Sequence, residues 1–136
     1  MRVFVLGGTG AIGSPLVQKL IERGHQVWAL ARSDSSASKL AKMGATPVAG
    51  DIASQERWIA GLPSVDAVIH AACDFNSDMA AIDVRLLDAL LPALAAQPKR
   101  PRFISISLPQ FSQYSVLLSA SSGSSGAISW MKSQSG

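Results

Sequence analysis

Cysteine, charge and aromatic side chains are all scarce in this 136-residue chain. The single cysteine, Cys73, excludes an intramolecular disulfide framework and a zinc site built from several thiolates. It fits a reducing compartment, and the expected location is the cytoplasm. Charged residues are only 15% of the chain, and 12 Lys plus Arg against 9 Asp plus Glu leave a formal +3. That excess is small and dispersed, with Lys99, Arg100 and Arg102 as its one cluster, so nucleic acid is not the expected partner. Trp28, Trp58 and Trp130 lie too far apart in sequence to suggest a base-stacking platform. No apolar run approaches the roughly 18 residues of a membrane span. The short apolar stretch at the N-terminus runs straight into a glycine motif, which reads as a first strand and not as a signal peptide. What is plentiful is apolar residues, 48% of the total, enough for one domain with a real core and too many for a disordered chain.

Those apolar residues fall into alternating short and long patterns up to about residue 107. Arg2–Leu6 is a compact run of the kind found in a buried parallel strand. Ile12, Leu16, Val17, Leu20 and Ile21 then recur at three- and four-residue spacing and predict a helix face. Pro15 sits in its first turn and Gly24 at its end. Gln26–Ala31 predicts a second strand, followed by a short helix capped by Asp34 or Ser35, carrying Leu40 and Met43 and closed by Gly44. Thr46–Ala49 is a third strand, a helix follows through Trp58 and Ile59, and Val65–Ala71 is a fourth strand. A long helix over Asp78–Ala96, with Ile82, Leu86, Leu90 and Leu94 on one stripe, leads to a fifth strand at Arg102–Ile106. Strands alternating with helices predict an α/β fold, a Rossmann-type doubly wound parallel sheet in the order 3-2-1-4-5.

The remainder, residues 108–136, reads as a separate tail. Between Ser105 and Gly136 there are 12 serines and one charge, Lys132. The run SASSGSSG over residues 119–126 has linker composition. Val116–Leu118 and Ala127–Met131 are apolar islands with no clear period, so no fold is assigned there.

The chemistry begins where the first strand meets the first helix, at Gly7-Gly8-Thr9-Gly10-Ala11-Ile12-Gly13. Gly7 permits a tight turn, Gly10 lets the backbone approach a pyrophosphate, and Gly13 allows the helix to pack closely on the sheet. Thr9, Ala11 and Ile12 complete a turn whose helix N-terminus offers free N–H groups and a partial positive charge. A glycine-rich turn with no ligand is the alternative. No Gly-Lys-Ser/Thr follows, which excludes a P-loop.

The stretch VLGGTGAIG resembles the extended and atypical short-chain dehydrogenase/reductase family, the NAD(P)-dependent epimerase/dehydratase group, with glycines at Gly7, Gly10 and Gly13. Ala31-Arg32-Ser33, Gly50-Asp51-Ile52 and Val68-Ile69-His70-Ala71-Ala72 extend the resemblance, each at the end of a strand. It implies a dinucleotide cofactor, with Asp51 and Ile52 bordering the adenine and Ala71 and Ala72 lying beneath the nicotinamide ribose. Asp51 can equally cap the next helix. The second strand ends without an acid to take a ribose 2′-hydroxyl, and Arg32 follows, so NADP is expected over NAD. The other reading of Arg32 is a solvated loop charge. His70 reads as a core histidine, Cys73 as packing, and His25 as a surface loop residue.

One feature of the family is missing. Its redox members carry Tyr-x-x-x-Lys on a helix after the fifth strand, where the lysine eases proton exchange by the phenol. Here Tyr114 is followed four residues on by Leu118, and the next lysine is Lys132. Leu108 stands where a Ser or Thr partner is expected. No catalytic residue is carried over. The expectation is the cofactor-binding half of an NADP(H)-dependent oxidoreductase or epimerase, catalytically incomplete in this chain and resembling a truncated, frameshifted or spliced product. A non-catalytic sensor module and a non-functional fragment are the alternatives. The substrate is unknown, and the open sheet edge suggests self-association.

Overall fold

A computed structural model of the chain describes residues 1–54, 56–72, 79–106, 114–115 and 131–132. Two compact units, Met1–Ser105 and Ile106–Gly136, make up the chain. In the first, β1 (Arg2–Leu6), α1 (Gly13–Glu22), β2 (Gln26–Ala31), α2 (Asp34–Met43), β3 (Thr46–Ala49), α3 (Glu56–Ala60), β4 (Ala67–His70), α4 (Met79–Ala95) and β5 (Arg102–Ser105) follow in turn. The strands form one parallel sheet in the order β3-β2-β1-β4-β5, the Rossmann-type topology expected from the alternation.

The apolar run of β1 builds two cores at once, because successive residues of a strand face opposite sides. Val3 and Val5 join Val17, Val27, Ala29, Leu40 and Ile69 on one face. Phe4 and Leu6 join Leu30, Trp58, Val68, Leu86, Leu90 and Leu94 on the other. Helices thus cover both faces, as the unbroken hydrophobicity of β1 and β4 requires. Pro47, which has no N–H to give a ladder, stands in edge strand β3.

Several local expectations change. Ser33, and not Asp34 or Ser35, caps α2: its extended backbone (φ −144°) lets Oγ accept from the Ser36 N–H at 3.2 Å. Asp34 becomes the first helical residue, where a negative charge favours the N-terminus. Ile12 does not begin the buried stripe of α1. It is the N-cap residue and 41% exposed, while Val17 is fully buried with Leu16, Leu20 and Ile21 packed beside it. Strand β4 is shorter than 65–71, although Asp66 N–H to Arg2 O (2.8 Å) and Ala71 N–H to Leu6 O (2.8 Å) extend its bonding to β1 at both ends. The Val65 amide is turned aside to the Gln97 side chain at 3.2 Å. Gly24 and Gly44 follow α1 and α2 with positive φ, as their positions suggested.

The second unit contains a feature the sequence did not reveal. Tyr114–Ser115 (β6) and Met131–Lys132 (β7) form a two-residue antiparallel pair, with Tyr114 opposite Lys132. Strands of two residues are too short to show an alternating pattern. Val116–Leu118, Cys73 and Leu108 lie outside the described residues. Among the described residues no helix is long and apolar enough to cross a membrane, and no cluster of metal-ligating side chains occurs.

At the end of the sheet opposite the glycine turn, Asp66 Oδ2 accepts from the Arg2 N–H at 2.7 Å. That hydrogen bond, helped by nearby Lys99, the N-terminal amine and Arg2 against the opposing cost of desolvation, holds the Asp66 carboxyl below its ordinary 3.8. A group depressed on folding stabilises above its unfolded value and ceases to do so as pH falls through its folded one. The urea midpoint should therefore drop between pH 5 and pH 3 (about one unit either side of an ordinary carboxyl), and drop less in Asp66→Asn.

Candidate functional site

Four strand exits meet at one end of the sheet: the turn after β1, Arg32 after β2, the loop at Asp51 after β3, and Ala71–Ala72 after β4. The connections after β1 and after β4 run to opposite sides, toward β2 and β5, so the exits of these two neighbouring strands form the switch point at which a parallel sheet offers a crevice.

The turn after β1 is built on backbone contacts that leave no room for side chains. Gly7 has φ +82°, and a Cβ there would lie 2.5 Å from the Ala72 nitrogen and 2.7 Å from the Ala71 carbonyl carbon. A Cβ on Gly13 would come within 1.8 Å of the Gly7 oxygen, so the first residue of α1 rests directly on the turn. Gly8 is buried against Ala29, Leu40 and Val17, with 3.1–3.2 Å left for a Cβ. Gly10 differs. Its N–H donates to Gly7 O at 3.2 Å, and a Cβ there would meet only that oxygen, at an ordinary 3.5 Å. The protein itself therefore needs glycine at positions 7 and 13 and has room for a Cβ at 10.

Helix α1 begins without a side-chain cap. Ser14 is its first amide with a backbone acceptor, Gly10 O at 2.9 Å, so those of Ala11, Ile12 and Gly13 ahead of it have none among the described residues. These are the orphan donors at the positive end of the helix dipole. Thr9, Ala11 and Ile12 are exposed beside them. Arg32 is also exposed and makes no ion pair among the described residues.

The β3 exit is held from below. The Gly50 N–H donates to Ala31 O at 3.0 Å, fastening it beside the end of β2. Asp51 Oδ1 accepts from the Ala53 N–H at 2.9 Å, closing a tight turn over 51–54. The carboxylate thus caps that turn, and α3 starts further on, at Glu56. Buried Trp58 stacks on Phe4 at 5.8 Å between ring centroids, and its indole N–H donates to Asp51 O at 2.9 Å. A Cβ on Gly50 would collide with that indole at 2.6 Å. Gly8 and Gly50 stand in the sequence motifs without a site role of their own, and the doubled glycine at 7–8 and the glycine before Asp51 were the available signals; Trp58 had none.

At the β4 exit, His70 is buried (4% exposed), as a core histidine should be. Its polar atoms are engaged: Nε2 lies 2.9 Å from Asp83 Oδ1 on α4, and Nδ1 accepts from the Ala72 N–H at 3.4 Å. Ala71 and Ala72 are half-buried.

Residues 7–122 match the sequence pattern of a family described as NAD(P)H-binding. The chain belongs to that family. Its cofactor is accordingly a nicotinamide dinucleotide. The match continues past residue 107, where the motif-by-motif resemblance stops. The chain is similar to photosystem II assembly factor Ycf39 of Synechocystis (40% identity over 88 residues, 65% of this chain and 26% of that protein). It is also similar to a decarboxylating sterol-4-alpha-carboxylate 3-dehydrogenase of Dictyostelium discoideum (35% over 77 residues, 57% and 24%). Among solved structures, alfalfa vestitone reductase superposes with a TM-score of 0.65 at 25% identity, over 85% of this chain and 38% of that one. The chain thus spans about a quarter of the length of the two curated relatives. These relatives agree with the resemblance to short-chain reductases and epimerases carried by the four strand-end motifs.

The different demands at the three glycines can be measured. Gly13→Ala should destabilise by about 1–3 kcal/mol or more, the cost of overpacking against immobile backbone. Gly10→Ala should stay within about 0.5 kcal/mol of wild type. Urea unfolding of both variants provides the comparison.

Proposed function

We propose that this chain binds NADP(H) at the β1–α1 turn and supplies the cofactor-holding half of an oxidoreductase or epimerase of the short-chain type. The observation that carries the proposal is Gly10. A Cβ would fit there in ordinary contact, yet the position is glycine, beside the uncapped N-terminus of a ten-residue helix. A dinucleotide pyrophosphate accounts for both features: it needs the space over Gly10, and it accepts from the unbonded amides of Ala11, Ile12 and Gly13. In this reading Thr9 lies alongside the phosphates, Asp51 and Ile52 border the adenine, and Ala71 and Ala72 underlie the nicotinamide ribose. The bound dinucleotide would supply hydride chemistry; the chain's own part is to bind and orient it.

Arg32 is the reason to favour NADP. It directly follows β2, it is exposed, and no neighbouring carboxylate neutralises it among the described residues. A guanidinium can hold a 2′-phosphate through two parallel hydrogen bonds. Calorimetric titration should find that Arg32→Ala costs NADPH binding about 1.5–3 kcal/mol and leaves NADH nearly unchanged. Equal loss for both cofactors would remove the 2′-phosphate role. Gly10→Val should abolish binding of either cofactor while the urea midpoint stays close to wild type.

A second reading, a cofactor-binding module without catalysis, is favoured by one observation. The only tyrosine, Tyr114, stands in a strand opposite Lys132, and no Tyr-x-x-x-Lys helix face occurs in the sequence. General acid–base catalysis contributes typically ~10²–10⁴-fold, and orientation of the acceptor by the rest of an enzyme adds to it. The 136-residue chain should therefore bind cofactor without steady NADPH consumption in the presence of carbonyl substrates. Turnover that disappears in Gly10→Val would favour the enzyme reading over the module. The lone Cys73 suits a cytoplasmic setting.

A further inference from the structure

The pair formed by buried His70 and the partly exposed Asp83 has no part in the cofactor contacts proposed above, yet it is joined to them through one amide. The Ala72 N–H is a donor only, so Nδ1 of His70 must act as the acceptor in their 3.4 Å contact. The ring proton then lies on Nε2 and donates to Asp83 Oδ1 at 2.9 Å. Both ring nitrogens are thereby committed, and neither is available to a substrate. The same Ala72 backbone is what the turn after β1 rests on, since a Cβ at Gly7 would fall 2.5 Å from its nitrogen. The imidazole therefore ties three elements together: strand β4 that carries it, α4 through Asp83, and the β1 turn through Ala72.

We propose that His70 and Asp83 form a positioning pair that fixes Ala71–Ala72 as a rigid floor for the nicotinamide end of the cofactor. This rests on the dinucleotide-binding reading given above. Removing the Asp83 acceptor leaves the Nε2–H of a 4%-exposed ring without its partner. The ring turns or shifts to find another, and the Ala72 amide loses its acceptor in consequence. A floor displaced by a few tenths of an ångström weakens contacts at the nicotinamide and leaves the adenylate half, bound beyond the β2 and β3 exits, untouched.

Asp83 is the better site for substitution, because its side chain is 39% exposed and its loss spares the core. The experiment titrates the 136-residue chain with the reduced dinucleotide that wild type prefers, NADPH or NADH, and with the matching adenylate half, 2′,5′-ADP or ADP. Asp83→Ala should weaken the dinucleotide at least about five-fold, the low end of the penalty for an unpaired buried polar group. It should change the adenylate half less than about two-fold. Asp83→Asn, which keeps an acceptor oxygen and discards the charge, should restore dinucleotide affinity. His70→Asn, which retains an acceptor near Nδ1 but cannot span to Asp83, should behave as Asp83→Ala if it folds. Wild-type dinucleotide affinity in Asp83→Ala overturns the inference. So does equal loss of both ligands, which marks a general structural role, and so does failure of Asp83→Asn to restore binding, which marks a charge effect. If wild type binds neither ligand, the dinucleotide reading itself fails before any Asp83 variant is tested, and this inference goes with it.

Discussion

The contact of backbone on backbone between the turn after β1 and the exit of β4 is the constraint on which the rest of this structure depends. Gly7 abuts Ala71–Ala72, and Gly13 abuts Gly7, so three chain segments meet where no Cβ fits between them. That closeness seats the first residue of α1 directly on the turn after β1. Dispersion contacts at such a junction are individually small, but there is no alternative packing that retains them. The orphan amides of Ala11, Ile12 and Gly13 are a consequence of this geometry. A helix that began one residue earlier or later would present a different set.

The second layer of the site is held by side chains that never reach its surface. Trp58 supports the β3 exit with its indole N–H on Asp51 O and its ring stacked against Phe4. His70 supports the β4 exit from α4. Both come from the apolar interior, yet each contributes a polar ring atom that a purely aliphatic residue would lack: the indole donor on Asp51 O and the imidazole acceptor for the Ala72 N–H. Exits of β2 and β3 are further joined by the Gly50 amide on Ala31 O. The loops of the candidate site thus draw their order from the sheet beneath, the usual division between scaffold and site.

The edges of the sheet are treated differently from its centre. At β3 the ladder ends in a strand containing Pro47, which cannot donate outward. At β5, Ile104 and the adjoining Ile106 are 48% and 39% exposed. The long helix α4, by contrast, buries Leu86, Leu90 and Leu94 at four-residue spacing over the middle of the sheet. Hydrophobic burial is therefore concentrated on β2, β1 and β4, the three inner strands.

Period, strand order and the glycine-bearing turn were all legible in the residues themselves. The extents of β1, β2 and β3 follow from their apolar runs, and the core stripe of α4 follows from Leu86, Leu90 and Leu94, because burial in a three-layer fold imposes a regular spacing on the chain. The motif positions Gly7, Gly10 and Gly13 could be located, but which of them the fold demands could not. That distinction depends on what lies opposite each missing Cβ, and the neighbours come from residues 7, 71 and 72, distant in part along the chain. Ser33 displaced Asp34 and Ser35 as the cap of α2 because capping is decided by a backbone angle at the junction, and all three residues are chemically suitable. Asp83 and Trp58 were invisible as supports for the same reason. A hydrogen bond between residues 13 positions apart, or an indole that reaches the carbonyl seven residues before it, has no period, so only the folded arrangement of strand, loop and helix brings donor and acceptor together.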